Sequence, residues 1–244
     1  MTIPTYPYMT RTTNARIAGF AFLFYIAVIV ASMVLFGEAT GAEGAAAQLA
    51  SIAQHVTEVR VSVLLGLLTP FVAMVLSTAL YAITREQDRF LAMVAMTCLF
   101  GAGVIDGIYI PTTLGLLSLA TTAGANAPDT SAVYALGSFL LTARAWNPLI
   151  AATFFAVGST LYSWLLLRGQ LIPGALAWLG VLASVMWVVG FPLQLVGVLP
   201  IAATWFAYLP MVVFEISIGL WLLVKGIAMP PARNVSPLRA NSPL

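Results

Sequence analysis

The chain has 244 residues, of which 61% are hydrophobic and 7% are charged, whereas about a quarter of an ordinary soluble domain is charged. This composition excludes a water-soluble globular protein and indicates a multipass membrane protein. The net charge of +2 provides no basic surface for a nucleic acid. With one cysteine, Cys98, and one histidine, His55, the chain lacks the ligands for a His-rich or Cys-rich metal site. We expect no metal and no other cofactor.

Apolar stretches long enough to cross a bilayer, about 20 residues each, recur along the chain. They lie at 15–36, 60–84, 90–117, 145–167, 172–196 and 203–224. We therefore predict an all-α, polytopic membrane bundle of six transmembrane helices over residues 15–226. A cytoplasmic segment, 1–14, precedes it, and the Pro- and Ser-rich residues 227–244 are predicted to be a disordered cytoplasmic tail.

The basic residues predict the orientation of the bundle. Arg85 and Arg89 lie between spans two and three, Arg168 lies between spans four and five, and Lys225 follows span six. The loop from 37 to 57 contains acidic residues and no basic one. Because Lys and Arg concentrate in cytoplasmic loops, both termini are predicted to be cytoplasmic.

Two connections are predicted to be more than turns. Residues 45–57 place Leu49, Ile52 and Val56 on one side of a helix, which predicts a short amphipathic helix at the outer interface. Residues 132–142 are apolar but too short to cross a bilayer. We predict that they form a separate re-entrant or surface helix before span four begins.

Charged side chains inside a span are costly and therefore mark candidate functional sites. Glu215 lies about 15 Å from the inner edge, measured from Lys225 along a helix, and so near the middle of the membrane. Burial without a cationic partner favours the protonated acid, which can donate a proton. Asp106 is predicted in the outer third of the membrane, and Arg144 at the outer interface.

Helical spacing places further side chains on the faces of these three charged groups. Tyr208 and Met211 accompany Glu215 on span six, Tyr109 accompanies Asp106 on span three, and Trp146 and Asn147 accompany Arg144 on span four, where Pro148 would occupy the first helical turn. We expect the three faces to meet. Glu215 and Asp106 are then candidate catalytic acids, and the others, Arg144 included, are candidate substrate-binding residues. The alternative is an Asp106–Arg144 ion pair that only fixes helix register.

Three segments resemble a bacterial family of six-helix integral membrane proteins that is classified only as a domain of unknown function. They are RIAG at 16–19, ARAWNPLIAATFFAVGSTLYSWLLLRGQLIP at 143–173, and FEISIGLWLLVKG at 214–226. The resemblance implies the six-helix fold and a location in the bacterial inner membrane. It also implies that the Arg-x-Trp region of span four and the glutamate of span six recur in the family, but it implies no reaction.

Three hypotheses for the function follow. The first is an intramembrane acid–base enzyme, a cyclase or isomerase, that acts on a lipophilic, isoprenoid-like molecule. The second is a small proton-coupled transporter in which Arg144 receives an anionic group. The third is a non-catalytic membrane partner that binds a lipid. Membrane lipids and a lipophilic small molecule are the expected partners, and the sequence does not indicate an oligomeric state.

Overall fold

Helices account for nearly all of residues 10–122 and 130–228, which the computed structural model describes, and no strand occurs in these ranges. The helices are α1 (Arg11–Thr40), α2 (Ala45–Gln54), α3 (Val56–Thr84), α4 (Arg89–Thr122), α5 (Thr130–Arg168), α6 (Gly174–Leu195) and α7 (Ile201–Val224). All except α2 are long and apolar enough to cross a membrane. A helix satisfies its own backbone hydrogen bonds, as a segment in lipid must. The predicted six-helix membrane fold is confirmed.

The six long helices form a closed ring in chain order. Each helix packs against the one before and the one after it, and α7 packs against α1. At one end of the ring, Arg11 forms an ion pair with Glu86 in the α3–α4 loop. At the same end, the backbone N–H of Ala228 donates to the carbonyl of Leu171 in the α5–α6 loop. The two ends of the bundle therefore differ, and we call this one the terminal end.

Helix α2 lies across the opposite end of the ring. It contacts α1, α3, α4 and α5, and it buries Leu49 and Ile52 as the predicted amphipathic pattern requires. The helix ends at Gln54, so Val56 opens α3 instead of closing α2. The predicted amphipathic helix is thus confirmed, with a shorter range than 45–57.

The prediction of a separate helix over 132–142 is wrong. These residues are the first turns of α5, which runs for 39 residues without interruption. Ala143, Arg144 and Ala145 favour helix and provide no break. Pro148 consequently lies inside α5 and not in its first turn, and it cannot donate the hydrogen bond that the carbonyl of Arg144 would otherwise accept.

Two hydrophobic cores are arranged along the bundle. The larger core joins α1, α3, α4, α5, α6 and α7 through such residues as Phe22, Leu80, Leu99 and Phe214. The smaller core lies under α2 and includes Phe36, Leu49, Ile52, Val59 and Leu116. The space between the two cores is where the candidate site lies.

The predicted terminal segments fall mostly outside the described residues. Of segment 1–14, the structure describes residues 10–14, and helix α1 begins at Arg11 with Thr10 as its N-cap. Of the predicted tail 227–244, the structure describes residues 227 and 228.

The ring closes where α1 and α7 approach each other at glycines. A Cβ atom on Gly19 would lie 2.5 Å from the backbone nitrogen of Leu223 and 2.6 Å from the carbonyl oxygen of Gly219. Backbone atoms cannot move aside as a flexible side chain can. This contact therefore requires glycine, in the manner of small-residue packing between membrane helices.

We expect Gly19→Ala to destabilise the bundle, because the added methyl group forces α1 and α7 apart. The expected loss is about 1–3 kcal/mol, the usual cost of overpacking. Gly190→Ala in α6 is the matched control, since nothing lies within 4 Å of its Cβ position. Unfolding of both variants by SDS titration in mixed micelles measures the difference; equal stability of the two variants would contradict this account of ring closure.

Candidate functional site

A cleft of about 650 Å³ lies between the two cores and is lined by residues of α1 to α5. Its walls are mostly apolar, with polar groups at its ends. It is lined by Ile29, Ser32, Met33, Phe36, Gly37, Thr40, Gln48, Thr69, Asp106, Tyr109, Leu141, Thr142, Arg144, Ala145 and Pro148. The volume is in the range of small-molecule sites, about 300–1,000 Å³.

Arg144 provides the positive charge of the cleft. Its guanidinium carbon lies 3.3 Å from the centroid of the Phe36 ring and 4.9 Å from that of Tyr109, so α1 and α4 hold the cation between aromatic faces. Its Nε donates to the hydroxyl oxygen of Thr113 at 3.0 Å. That hydroxyl in turn donates to the carbonyl oxygen of Tyr109. The orientation of the guanidinium is thereby fixed.

The remaining guanidinium donors of Arg144 point to a binding role. A guanidinium has five N–H groups, and only the one on Nε is used by a described residue. The two terminal nitrogens make no hydrogen bond to a described residue, and protein atoms do not enclose them completely. They are therefore accessible from the cleft and can bind a carboxylate or phosphate with two parallel hydrogen bonds.

Tyr109 is fixed from both sides. Its hydroxyl lies 3.2 Å from the hydroxyl of Ser32, which also donates to the carbonyl of Ser62. A Cβ atom on Gly66 would lie 2.3 Å from the Tyr109 hydroxyl, so the ring can approach α3 only because residue 66 is glycine. Tyr109 lines the cleft, as expected for a substrate-binding residue, although its role in binding stays a prediction.

Asp106 forms the opposite polar end of the cleft. Its Oδ2 accepts a hydrogen bond from the Tyr25 hydroxyl at 3.3 Å, which joins α4 to α1. The second carboxyl oxygen makes no hydrogen bond to any described residue and is not enclosed. Thr69 also lines the cleft. This end can therefore both accept and donate hydrogen bonds.

The alternative prediction, an ion pair between Asp106 and Arg144, is wrong. Within residues 10–122 and 130–228, the ion pairs shorter than or equal to 4.0 Å are Arg11–Glu86 and Arg168–Asp88. The two groups are instead spaced along the cleft. In the same ranges, no three His, Cys, Asp or Glu side chains are grouped closely enough to hold a metal ion.

Glu215 lies outside the cleft. It is half-buried on α7 and makes no hydrogen bond to a described residue. The Tyr25 hydroxyl donates to Asp106 and not to Glu215.

An aromatic cluster fills the space on the α6–α7 side of Tyr25. Its rings are successively in contact, from Tyr25 stacked on Phe155 at 6.0 Å, to Phe155 against Trp187, and to Trp187 against Tyr208 at 4.9 Å. The indole N–H of Trp187 donates to the carbonyl of Ala207. Tyr25, Phe155 and Trp187 belong to the larger core, and Tyr208 packs against it.

The other predicted binding residues are distributed around the cleft and do not line it. Asn147 donates to the carbonyl of Ile105 at 2.9 Å and so fixes α5 on α4. Tyr208 belongs to the aromatic cluster, and Met211 is fully buried in the larger core. Trp146 is 53% exposed. The expected meeting of the three faces is therefore only partly found: the faces of α4 and α5 share the cleft, whereas α7 packs against α1 and α6.

The sequence reasoning missed the residues that complete the cleft from α1, α2 and α3. Phe36, Gln48 and Thr69 line it, yet each resembles an ordinary residue of its segment. One signal was present for α1: Ser32 and Phe36 lie four residues apart and therefore face the same way on a helix.

Comparison with known proteins gives the family. Residues 17–226 match the family described as "Domain of unknown function (DUF4386)". The chain belongs to this family. The match spans all six long helices and includes the cleft, which confirms the resemblance seen in the sequence. No curated protein and no solved structure matches the chain.

Proposed function

We propose that this DUF4386 protein binds an amphipathic molecule in the cleft, with Arg144 as the ligand of its anionic head group. The proposal rests on the surroundings of the Arg144 guanidinium. It is held between two aromatic rings and by Thr113, it has no carboxylate within 4.0 Å among the described residues, and its terminal N–H groups are accessible.

The partial burial of the guanidinium supports this proposal. A charge that is withdrawn from water is expensive unless it is paired and hydrogen-bonded. The two aromatic faces and Thr113 compensate part of that cost, but they satisfy one N–H group. A carboxylate or phosphate would satisfy two more and would neutralise the charge.

The shape of the cleft supports a ligand with one hydrocarbon chain. On α1, lining residues run from Ile29 to Thr40, which corresponds to about 16 Å along the helix. The walls between the polar ends include Ile29, Met33 and Pro148, which suit apolar contact. A head group at Arg144 then directs its chain between the two cores.

We expect Arg144→Gln to weaken binding of a fluorescent fatty acid by about 10- to 100-fold, the value of hydrogen bonds to a charged group. Arg144→Lys should lie between wild type and Arg144→Gln, because the ammonium keeps the charge but loses the planar fork. Titration of the protein in nanodiscs of zwitterionic lipid gives the apparent Kd.

The matched control for this measurement is Arg168→Gln. It removes the same charge from the same helix, but Arg168 lies at the terminal end and is largely exposed beside Asp88. We expect its apparent Kd to equal that of wild type. Equal binding by Arg144→Gln and wild type, or an equal loss in Arg168→Gln, would contradict a head-group site at Arg144.

A second candidate, the acid–base enzyme, has one observation in its favour. Asp106 lines the cleft and accepts a hydrogen bond from Tyr25. A protonated Asp106 would donate its proton to a carbon–carbon double bond of an isoprenoid-like ligand, and return of a proton from a neighbouring carbon to the Asp106 carboxylate would complete an isomerisation. The structure holds no comparable observation for transport, so we do not propose it.

For this second candidate, we expect incubation with a linear isoprenoid phosphate in D₂O to incorporate deuterium at carbon, detected by mass spectrometry. Asp106→Asn should abolish incorporation. Glu38→Gln, which neutralises an exposed acid on α1, should leave it unchanged. Bound isoprenoid that remains unlabelled in the wild-type protein would contradict the enzyme hypothesis and leave binding as the function.

A further inference from the structure

We infer that the ligand of the cleft carries a second polar group, a hydroxyl or another hydrogen-bonding oxygen, that binds at Asp106. This inference rests on the proposed function, since Arg144 fixes the anionic head. It adds a subsite at the other end of the same cleft, built by Asp106, Tyr25 and Thr69.

The spacing of the two subsites is set by helix α4. Thr113, which orients Arg144, and Asp106 both belong to this helix, and they are separated by about 10 Å of axial rise. Helix α4 is continuous through Pro111, which lies between these two residues, so this axial rise approximates the separation of the two subsites. The ligand should therefore carry its oxygen about 10 Å from its anionic head.

The hydrogen-bonding groups of the subsite at Asp106 suit a ligand hydroxyl group. Tyr25 donates to one oxygen of Asp106, which leaves the second oxygen to accept a hydrogen bond from the ligand. The hydroxyl of Thr69, a residue of the cleft wall, makes no hydrogen bond to a described residue and can donate one. A ligand hydroxyl, which both donates and accepts, can pair with Asp106 and Thr69 together.

An unsubstituted hydrocarbon chain would bind less well. It would cover the Asp106 carboxyl and the Thr69 hydroxyl with methylene groups and leave buried polar groups without partners, at a free-energy cost. Sites built to hydrogen-bond a hydroxyl therefore discriminate strongly against the analogue that lacks it. The walls between the subsites are apolar and provide no such discrimination.

The experiment compares two fatty acids that differ only in a mid-chain hydroxyl about 10 Å from the carboxylate, the spacing set by α4. Each is titrated against the full-length protein in zwitterionic nanodiscs. We expect wild type to bind the hydroxylated acid at least tenfold more tightly. Thr69→Val, close in size to the native side chain, and Asp106→Leu should abolish this preference, because the hydroxylated acid loses its partners and the unsubstituted acid no longer covers polar groups.

Thr97→Val is the matched control, because Thr97 is exposed on α4 and donates only to the carbonyl of Met93. It should keep the preference of wild type. If Asp106→Leu does not fold, the preference of Thr69→Val for the hydroxylated acid, compared with that of wild type, tests the subsite. Equal affinity of wild type for the two acids would overturn the second subsite but leave the head-group site standing. Binding of both acids that is insensitive to Arg144→Gln would overturn the proposed function itself.

Discussion

The fold of this protein is organised around a guanidinium held at the boundary of two hydrophobic cores. Arg144 stacks on Phe36 of α1 and Tyr109 of α4, and its Nε binds Thr113. A partly buried cation needs compensation from its surroundings. Because Arg144 on α5 has its partners on α1 and α4, the same contacts that tolerate the charge also fix where these three helices meet.

This constraint explains why a cleft exists between the cores. The larger core is closed by small residues such as Gly19, which bring helices together. The smaller core is closed by α2. Between them, the polar groups at Asp106 and Arg144 cannot be covered by apolar side chains at no free-energy cost, and helix packing leaves the cleft there.

Much of the fold could be predicted from the sequence, because hydropathy and helix length are local properties. The six spans and the amphipathic helix α2 are examples. The continuation of α5 through 132–142 was missed, since a stretch too short to span a membrane carries no signal that it joins the next one. Asp106, Tyr109 and Arg144 were predicted site residues that line the cleft. Glu215 was chosen by its depth, but depth does not indicate which side of α7 faces a cavity.

The central claim is that the cleft binds an elongated anion through Arg144. An experimental density map of the protein purified from membranes without added ligand tests it most directly. The account predicts elongated density that begins within hydrogen-bond distance of the Arg144 guanidinium and continues between the cores toward Asp106. A cleft filled by the protein's own side chains, with Arg144 paired to a carboxylate of the chain, would contradict it.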